Sequence, residues 1–202
     1  KIADCISILG RRGCGKSYLC KKVQDCYPKI VVIDTLDEYK DGLIFTDFES
    51  FSAQLLDFKK NRKKNFKIIF KFSPESKNRT VIFNEILKIL FKFGNLLIVI
   101  EEVQMYSNPH FLPQWLQNCL LIGRHQNLSM IFTTQRPGEL HKTILSQCNH
   151  IFAGQMHEKN DIKYISGFLG VDAEKLVKLP PRKFVYFNPD AKVQVVSNDL
   201  KK

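Results

Sequence analysis

The segment Gly10-Arg11-Arg12-Gly13-Cys14-Gly15-Lys16-Ser17 constrains this chain more than any other. It fits G-x-x-x-x-G-K-[ST], the spacing of a P-loop. Ile2 to Leu9 ahead of it is a short apolar run that alternates with small or polar residues. Ser17-Tyr18-Leu19-Cys20-Lys21-Lys22-Val23 behind it reads as a helix start. Strand, glycine loop and helix are the context this motif needs. Glycines let successive backbone N–H groups turn toward a phosphate chain. The helix N-terminus turns its positive end to the same point. Gly10 through Ser17 are therefore candidate nucleotide ligands, with Lys16 reaching the β- and γ-phosphates as a point charge and the Ser17 hydroxyl placed on Mg²⁺.

A chain of 202 residues is one large domain, and 44% hydrophobic with 25% charged residues is ordinary for a globular protein. No run is apolar for long enough to cross a bilayer, and the first residues are too short an apolar stretch for a signal peptide. The six cysteines, at positions 5, 14, 20, 26, 119 and 148, include no C-x-x-C pair. They read as reduced thiols of a cytoplasmic protein. Cys14 is either redox-sensitive or a small filler within the loop. The net charge of +11 favours an acidic partner such as nucleic acid, although a lysine-rich genome would leave the same trace. Lys59-Lys60-Asn61-Arg62-Lys63-Lys64 is the densest basic cluster, either a solvated loop or a phosphate-backbone patch.

Strand and helix patterns alternate throughout. Strands are expected at 2–9, 29–34, 66–72, 95–101, 128–134, 149–154, 183–187 and 192–197. Helices are expected at 15–26, 48–58, 79–92, 111–123, 138–146, 159–168 and 172–178. Near-continuous apolar strands such as Leu96-Leu97-Ile98-Val99-Ile100 call for burial on both faces. The fold class is therefore α/β, a mostly parallel sheet sandwiched by helices. The last two strands flank Asn188-Pro189-Asp190 and form a terminal hairpin. Residues 102–113, with Pro109 and Pro113, read as a long and mobile loop.

The strand 95–101 ends in Glu101-Glu102, an apolar run followed by two carboxylates. Such a pair emerges at the C-terminal sheet edge, where the P-loop also sits. Glu101 is the candidate Mg²⁺ carboxylate and Glu102 the candidate general base for an attacking water. A carboxylate pair opening a helix is the plainer alternative. Another apolar strand ends in Thr133-Thr134-Gln135-Arg136-Pro137. If it lies between the strands of the P-loop and Glu101, Gln135 faces the γ-phosphate. Arg124 falls before that strand, at the opposite edge, roughly 20 Å away across six residues at ~3.3 Å each. It is out of reach of its own P-loop and is a candidate arginine finger in trans, or else a helix-capping arginine.

Taken together these residues resemble the FtsK/HerA superfamily of P-loop motor ATPases over roughly residues 2–155. The resemblance rests on the P-loop, Asp34-Thr35-Leu36-Asp37-Glu38-Tyr39, Ile100-Glu101-Glu102, Gly123-Arg124-His125 and Thr133-Thr134-Gln135-Arg136-Pro137. Motors of this group usually carry Asp where this chain has Glu101. The short chain is similar to the small genome-packaging ATPases of internal-membrane icosahedral viruses. The resemblance implies a RecA-like P-loop domain over residues 1–202, with C-terminal helices and a hairpin from 156. It implies ATP and Mg²⁺ as ligands and a homo-oligomeric ring, usually a hexamer. It also implies double-stranded DNA held by its phosphates, a capsid or portal-vertex partner, and a place in the host cytoplasm. A Zot-like or conjugation-type ATPase acting on protein partners is the rival reading. A small-molecule kinase is the third, disfavoured because no arginine-rich lid is visible. No Asn-Lys-x-Asp run reads guanine, which leans toward ATP.

Overall fold

The computed structural model of the chain describes residues 3–73, 75–76, 78–188 and 191–197. Its strands are β1 (Cys5–Leu9), β2 (Lys29–Asp34), β3 (Leu43–Phe45), β4 (Phe66–Lys71), β5 (Leu96–Ile100), β6 (Leu128–Thr134), β7 (His150–Ala153), β8 (Lys183–Asn188) and β9 (Ala191–Ser197). They form one sheet in the order β3-β4-β2-β5-β6-β1-β7-β8-β9. Pairing is parallel from β3 through β7. It turns antiparallel at β7–β8 and β8–β9, which gives the expected terminal hairpin. Residues 189–190 of its expected turn lie outside the described residues.

The helices are α1 (Lys16–Gln24), α2 (Phe48–Lys60), α3 (Arg79–Phe93), α4 (Gln114–Ile122), α5 (Lys142–Ser146), α6 (Lys159–Leu169) and α7 (Ala173–Lys178). The two faces of the sheet are covered unequally. Phe51, Phe83, Leu116, Ile144, Ile165 and Leu176, from α2 through α7, all join one core with Val31, Ile33, Ile98 and Phe132 of the strands. Leu19 and Cys20 of α1 cover the other face with Tyr39 and Phe184, over Ile8, Val32, Val99 and Ile131. Burial on both faces explains why β5 and β6 read as unbroken apolar runs: all their residues are buried. Each such Leu or Ile stabilises the sheet by about 1.5–3 kcal/mol. The strand ends are therefore firm supports for whatever the following loops carry.

Several boundaries differ from expectation for local reasons. β3 is three residues long, too short for a periodic signal. The helix expected at 138–146 begins at Lys142, because Pro137–Glu139 first make a 3₁₀ turn. The helix expected at 111–123 begins after Pro113, and Gly123–Gln126 form a separate 3₁₀ turn. The 102–113 segment is packed rather than loose. It holds a 3₁₀ turn at Val103–Met105, buries Val103 and Tyr106, and makes a bridge between Asn108 and Phe111. Tyr106 stacks on Phe83 with ring centroids 4.1 Å apart.

Candidate active site

The chain leaves β1 through the P-loop and crosses to β2, two strands beyond β6, while β7 lies on the other side of β1. The connections that leave β1 and β6 thus run in opposite directions along the sheet, and an open parallel sheet leaves a crevice at its carboxyl ends where they do so. A cleft of about 590 Å³ opens there. Arg12, Gly13, Gly15, Lys16 and Ser17 form one wall, and Glu38, Glu101 and Glu102 face them.

The loop geometry depends on its glycines. Gly10, Gly13 and Gly15 have φ of 139°, 79° and 103°. At Gly10 a Cβ would lie 2.9 Å from Cys14 Sγ and 3.2 Å from the Gln155 carbonyl oxygen. Cys14 itself is buried, and burial raises its thiol pKa, so it acts as a packed filler and not as an exposed thiolate. The other cysteines are also free thiols, as expected. Lys16 Nζ donates to the carbonyls of Gly10 (2.8 Å) and Arg11 (3.2 Å). Arg11 binds Gln155 twice, through its backbone N–H and its Nε, each at 2.8 Å. Gly15 caps α1, leaving the helix N-terminus open toward the cleft.

Glu101 and Glu102 follow β5 directly, and both are nearly inaccessible. β6 does lie between β5 and β1, so the condition set for Gln135 is met. Its side chain turns onto Glu102: Nε2 donates to Oε1 at 2.8 Å, and its backbone N–H donates to Oε2 at 3.1 Å. Gln104 Nε2 donates to the same Oε2 at 2.5 Å. Glu102 has left-handed backbone, φ 48°, and its N–H donates to Thr133 Oγ1 at 3.2 Å. Thr133 in turn donates to Glu101 Oε2 at 2.6 Å, and Tyr39 donates to Glu101 Oε1 at 3.0 Å. Burial pushes the Glu101 carboxyl up to about 7, against the pull of the Thr133 and Tyr39 hydrogen bonds.

The stretch Asp34–Tyr39 shows why it accompanies the carboxylates. Asp34 is buried and accepts the backbone N–H groups of Glu38 (3.1 Å) and Tyr39 (3.0 Å), folding the chain back after β2. Thr35 Oγ1 donates to the Glu101 carbonyl at 2.9 Å. Gln24 Nε2 donates to the Tyr39 hydroxyl at 2.9 Å, completing a chain from α1 to Glu101.

Arg124 is not part of this constellation. It sits exposed in the 3₁₀ turn before β6, at the N-terminal sheet edge, lining a hollow of about 300 Å³ with Asp4, Cys5 and Gln147. Arg136 is also engaged elsewhere, with Glu139 at 3.0 Å and Asp161 at 3.2 Å. Sequence reasoning assigned no role to Tyr39, Thr133, Gln104, Glu38 or Arg182. Arg182 and Pro181 close the cleft from the far end of the chain, and the Arg182 N–H donates to the carbonyl of Cys14, 168 residues away, at 3.0 Å. The only local signal there is Pro180-Pro181, which ends α7 and turns the chain into β8.

No family model matches the chain. A curated relative, the DNA packaging ATPase P9 of Enterobacteria phage PRD1, is 29% identical over 98 residues, which are 48% of this chain and 41% of the relative. The match thus spans less than half the length of that relative. Among solved structures, the genome packaging NTPase B204 from Sulfolobus turreted icosahedral virus 2 in complex with sulfate superposes with a TM-score of 0.77 at 19% identity, covering 100% of both chains. Its complex with ATP-gammaS gives 0.75 at 19%, covering 96% of each. VirB4 of Thermoanaerobacter pseudethanolicus gives 0.68 at 12%, covering 98% of this chain and 89% of that one. These neighbours are of the kind the sequence resembles, and the chain has the fold of the viral genome-packaging ATPases.

Proposed function

We propose that this chain is an ATP-hydrolysing motor that drives double-stranded DNA into a viral capsid. One observation carries the reading: a single cleft sets the P-loop Lys16 and Ser17 opposite Glu101 and Glu102, in a chain with the packaging-ATPase fold. The donors facing the cleft are hydroxyl and carboxylate oxygens, which suit Mg²⁺. Among the described residues no set of three or more metal-ligating side chains forms a cage. Mg²⁺ takes one or two carboxylates and completes its shell with phosphates and water. Ser17 and Glu101 would hold it, and when bound with nucleotide it neutralises charge on the β- and γ-oxygens.

In this reading Gly10 to Ser17 cradle the phosphates and Lys16 clamps the β- and γ-oxygens. Glu102 takes a proton from water as the water oxygen attacks the γ-phosphorus. The bond from that phosphorus to the β–γ bridging oxygen breaks, leaving ADP and phosphate. Gln135 holds Glu102 from one side and can report the γ-phosphate to it. Arg124, on the far edge, completes a neighbour's site in a ring, most simply a hexamer, so turnover requires assembly. DNA is held by its phosphates, without base reading. A capsid or portal-vertex protein anchors the ring, and the free thiols fit a host cytoplasm. No helix among the described residues is long and apolar enough to cross a membrane.

The test is ATPase rate with and without duplex DNA, as assembled rings, from low to high salt. The rate rises with DNA and the rise fades with salt, through counterion release. Equal rates at low salt would favour a switch that acts on protein partners.

A further inference from the structure

The basic cluster at 59–64 is absorbed by none of the chemistry above, and it lies on the sheet edge away from the cleft. α2 ends at Lys60, and the chain then turns to enter β4 at Phe66. The Phe66 N–H donates to the Pro28 carbonyl at 2.9 Å, and Lys29 pairs in register with Phe66. Lys29, Lys92 and the 59–64 turn therefore share one patch at the start of β4 and β2.

The patch is built on a firm base. Phe58, Phe66 and Phe93 pack beneath it, with centroids 4.9 Å and 5.8 Å apart. The Lys63 N–H donates to the Phe58 carbonyl at 2.9 Å and the Arg62 N–H to the Lys59 carbonyl at 3.3 Å. Lys59 Nζ donates to the Lys92 carbonyl at 3.0 Å, and the ammonium groups of Lys29 and Lys59 each sit 5.9 Å from the Phe93 ring.

Its cations lack carboxylate partners. Lys40, Lys67, Lys71, Lys88, Arg136 and Lys178 all pair with Asp or Glu. Among the described residues, Lys29, Lys59, Lys60, Arg62, Lys63, Lys64 and Lys92 form no ion pair. Residues 59–64 and Lys92 are exposed. Like charges crowded together repel, so such a cluster gains most when a polyanion lies against it. Phe66 is buried beneath the lysines and Phe93 turns into an apolar hollow between α2 and α3, while the cations stand exposed on the turn, an arrangement that suits the phosphates of a duplex.

We infer that this patch is the surface on which the chain holds the phosphate backbone of double-stranded DNA. The inference rests on the motor reading and adds the place. β4 and β6 are three strands apart, roughly 14 Å at ~4.8 Å per strand. The patch and Arg124 can thus serve different partners on the same edge, one DNA and the other a neighbouring subunit.

The experiment compares the full chain with Lys60→Gln/Lys63→Gln/Lys64→Gln, and with a control, Lys159→Gln/Lys163→Gln/Lys175→Gln, that removes equal charge from α6 and α7. Binding of a labelled 30-base-pair duplex is followed by anisotropy from 50 to 300 mM salt, beside basal ATPase. Three lost phosphate contacts reduce the slope of log K on log salt by roughly 2–3 and weaken binding by ~10²-fold at 0.1 M. Basal ATPase and the control stay near wild type. An unchanged slope in the first variant, or an equal loss in the control, overturns the assignment while leaving the motor reading standing. If the wild-type chain binds an acidic peptide at low salt and not the duplex, both fail. Loss of basal ATPase in the first variant would also count against it, since the patch would then serve the fold or the ring.

Discussion

The two edges of the sheet are built on opposite electrostatic plans. At the carboxyl edge, cations and carboxylates are interleaved: Lys16 faces Glu101 and Glu102, and Lys71 lies near Asp34 and Asp37. Glu101 and Glu102 are each bound by neighbouring donors. At the amino edge near β4, positive groups gather without partners on a floor of phenylalanines. Buried charges must be matched where they stand, because desolvation is costly. Exposed charges bear little such cost and can await an external partner. The difference separates a site for chemistry, which must be preorganised, from a surface for a long polyanion, which needs only charge.

The largest effects should come from breaking the carboxyl edge. Lys16→Ala should abolish nucleotide binding or turnover, read by titration with labelled ATP. Unchanged affinity together with unchanged hydrolysis would remove the P-loop from the mechanism. Glu102→Gln should keep ATP binding and lower hydrolysis by ~10²-fold or more, the scale of a lost general base. Glu101→Gln should instead weaken the dependence on Mg²⁺. If Glu101→Gln alone stopped chemistry, the two carboxylates would have exchanged roles.

Breaking the amino edge should give an effect of a different kind. Arg124→Ala should bind ATP and hydrolyse it poorly, because the arginine serves a neighbour. Mixed with Lys16→Ala, which is inactive through its own site, it should regain part of the rate. Some interfaces then pair an intact P-loop with an intact arginine. No recovery at any ratio, with co-assembly confirmed, would leave Arg124 as a capping residue.

The same contrast explains what the sequence could and could not reveal. The P-loop and Glu101-Glu102 are contiguous, and each sits at the end of an apolar strand whose direction is readable. Their meeting followed from the rule that parallel strands open their crevice at one edge. Tyr39, Thr133 and Arg182 act at the same site through contacts 62, 32 and 168 residues apart in sequence. No local pattern encodes such contacts, and only the strand order brings them together. Gln135 was legible as a strand-end amide, but its two hydrogen bonds to Glu102 depend on register. The 59–64 cluster was visible as charge. What could not be read was that Lys29 and Lys92 join it, since this requires β2 to pair with β4 and α2 to pack beside α3. β3 was hidden for a simpler reason: three residues carry no period.

The smallest effect, and the most local, concerns Glu101. Burial raises its carboxyl from 4.5 to about 7, Glu38 and Glu102 push it the same way, and the hydrogen bonds of Thr133 and Tyr39 oppose them. Between those two values the unfolded chain has released this proton and the folded chain has kept it. The unfolded state then binds fewer protons, so this group makes stability fall as pH rises from about 4.5 to 7 and adds no slope above. At about 1.4 kcal/mol per pKa unit, the loss is of order 3 kcal/mol. Glu101→Gln cannot titrate, so its urea midpoint should fall less than that of wild type between pH 5 and pH 8, both without nucleotide or Mg²⁺. Tyr39→Phe sharpens the argument in the opposite sense. It removes a hydrogen bond that favours the ionised carboxylate, so the fall should deepen and extend to higher pH. Parallel curves for all three proteins would mean that Glu101 ionises normally in the fold. Its buried hydrogen bonds from Thr133 and Tyr39 would then be matched to the carboxylate from the start.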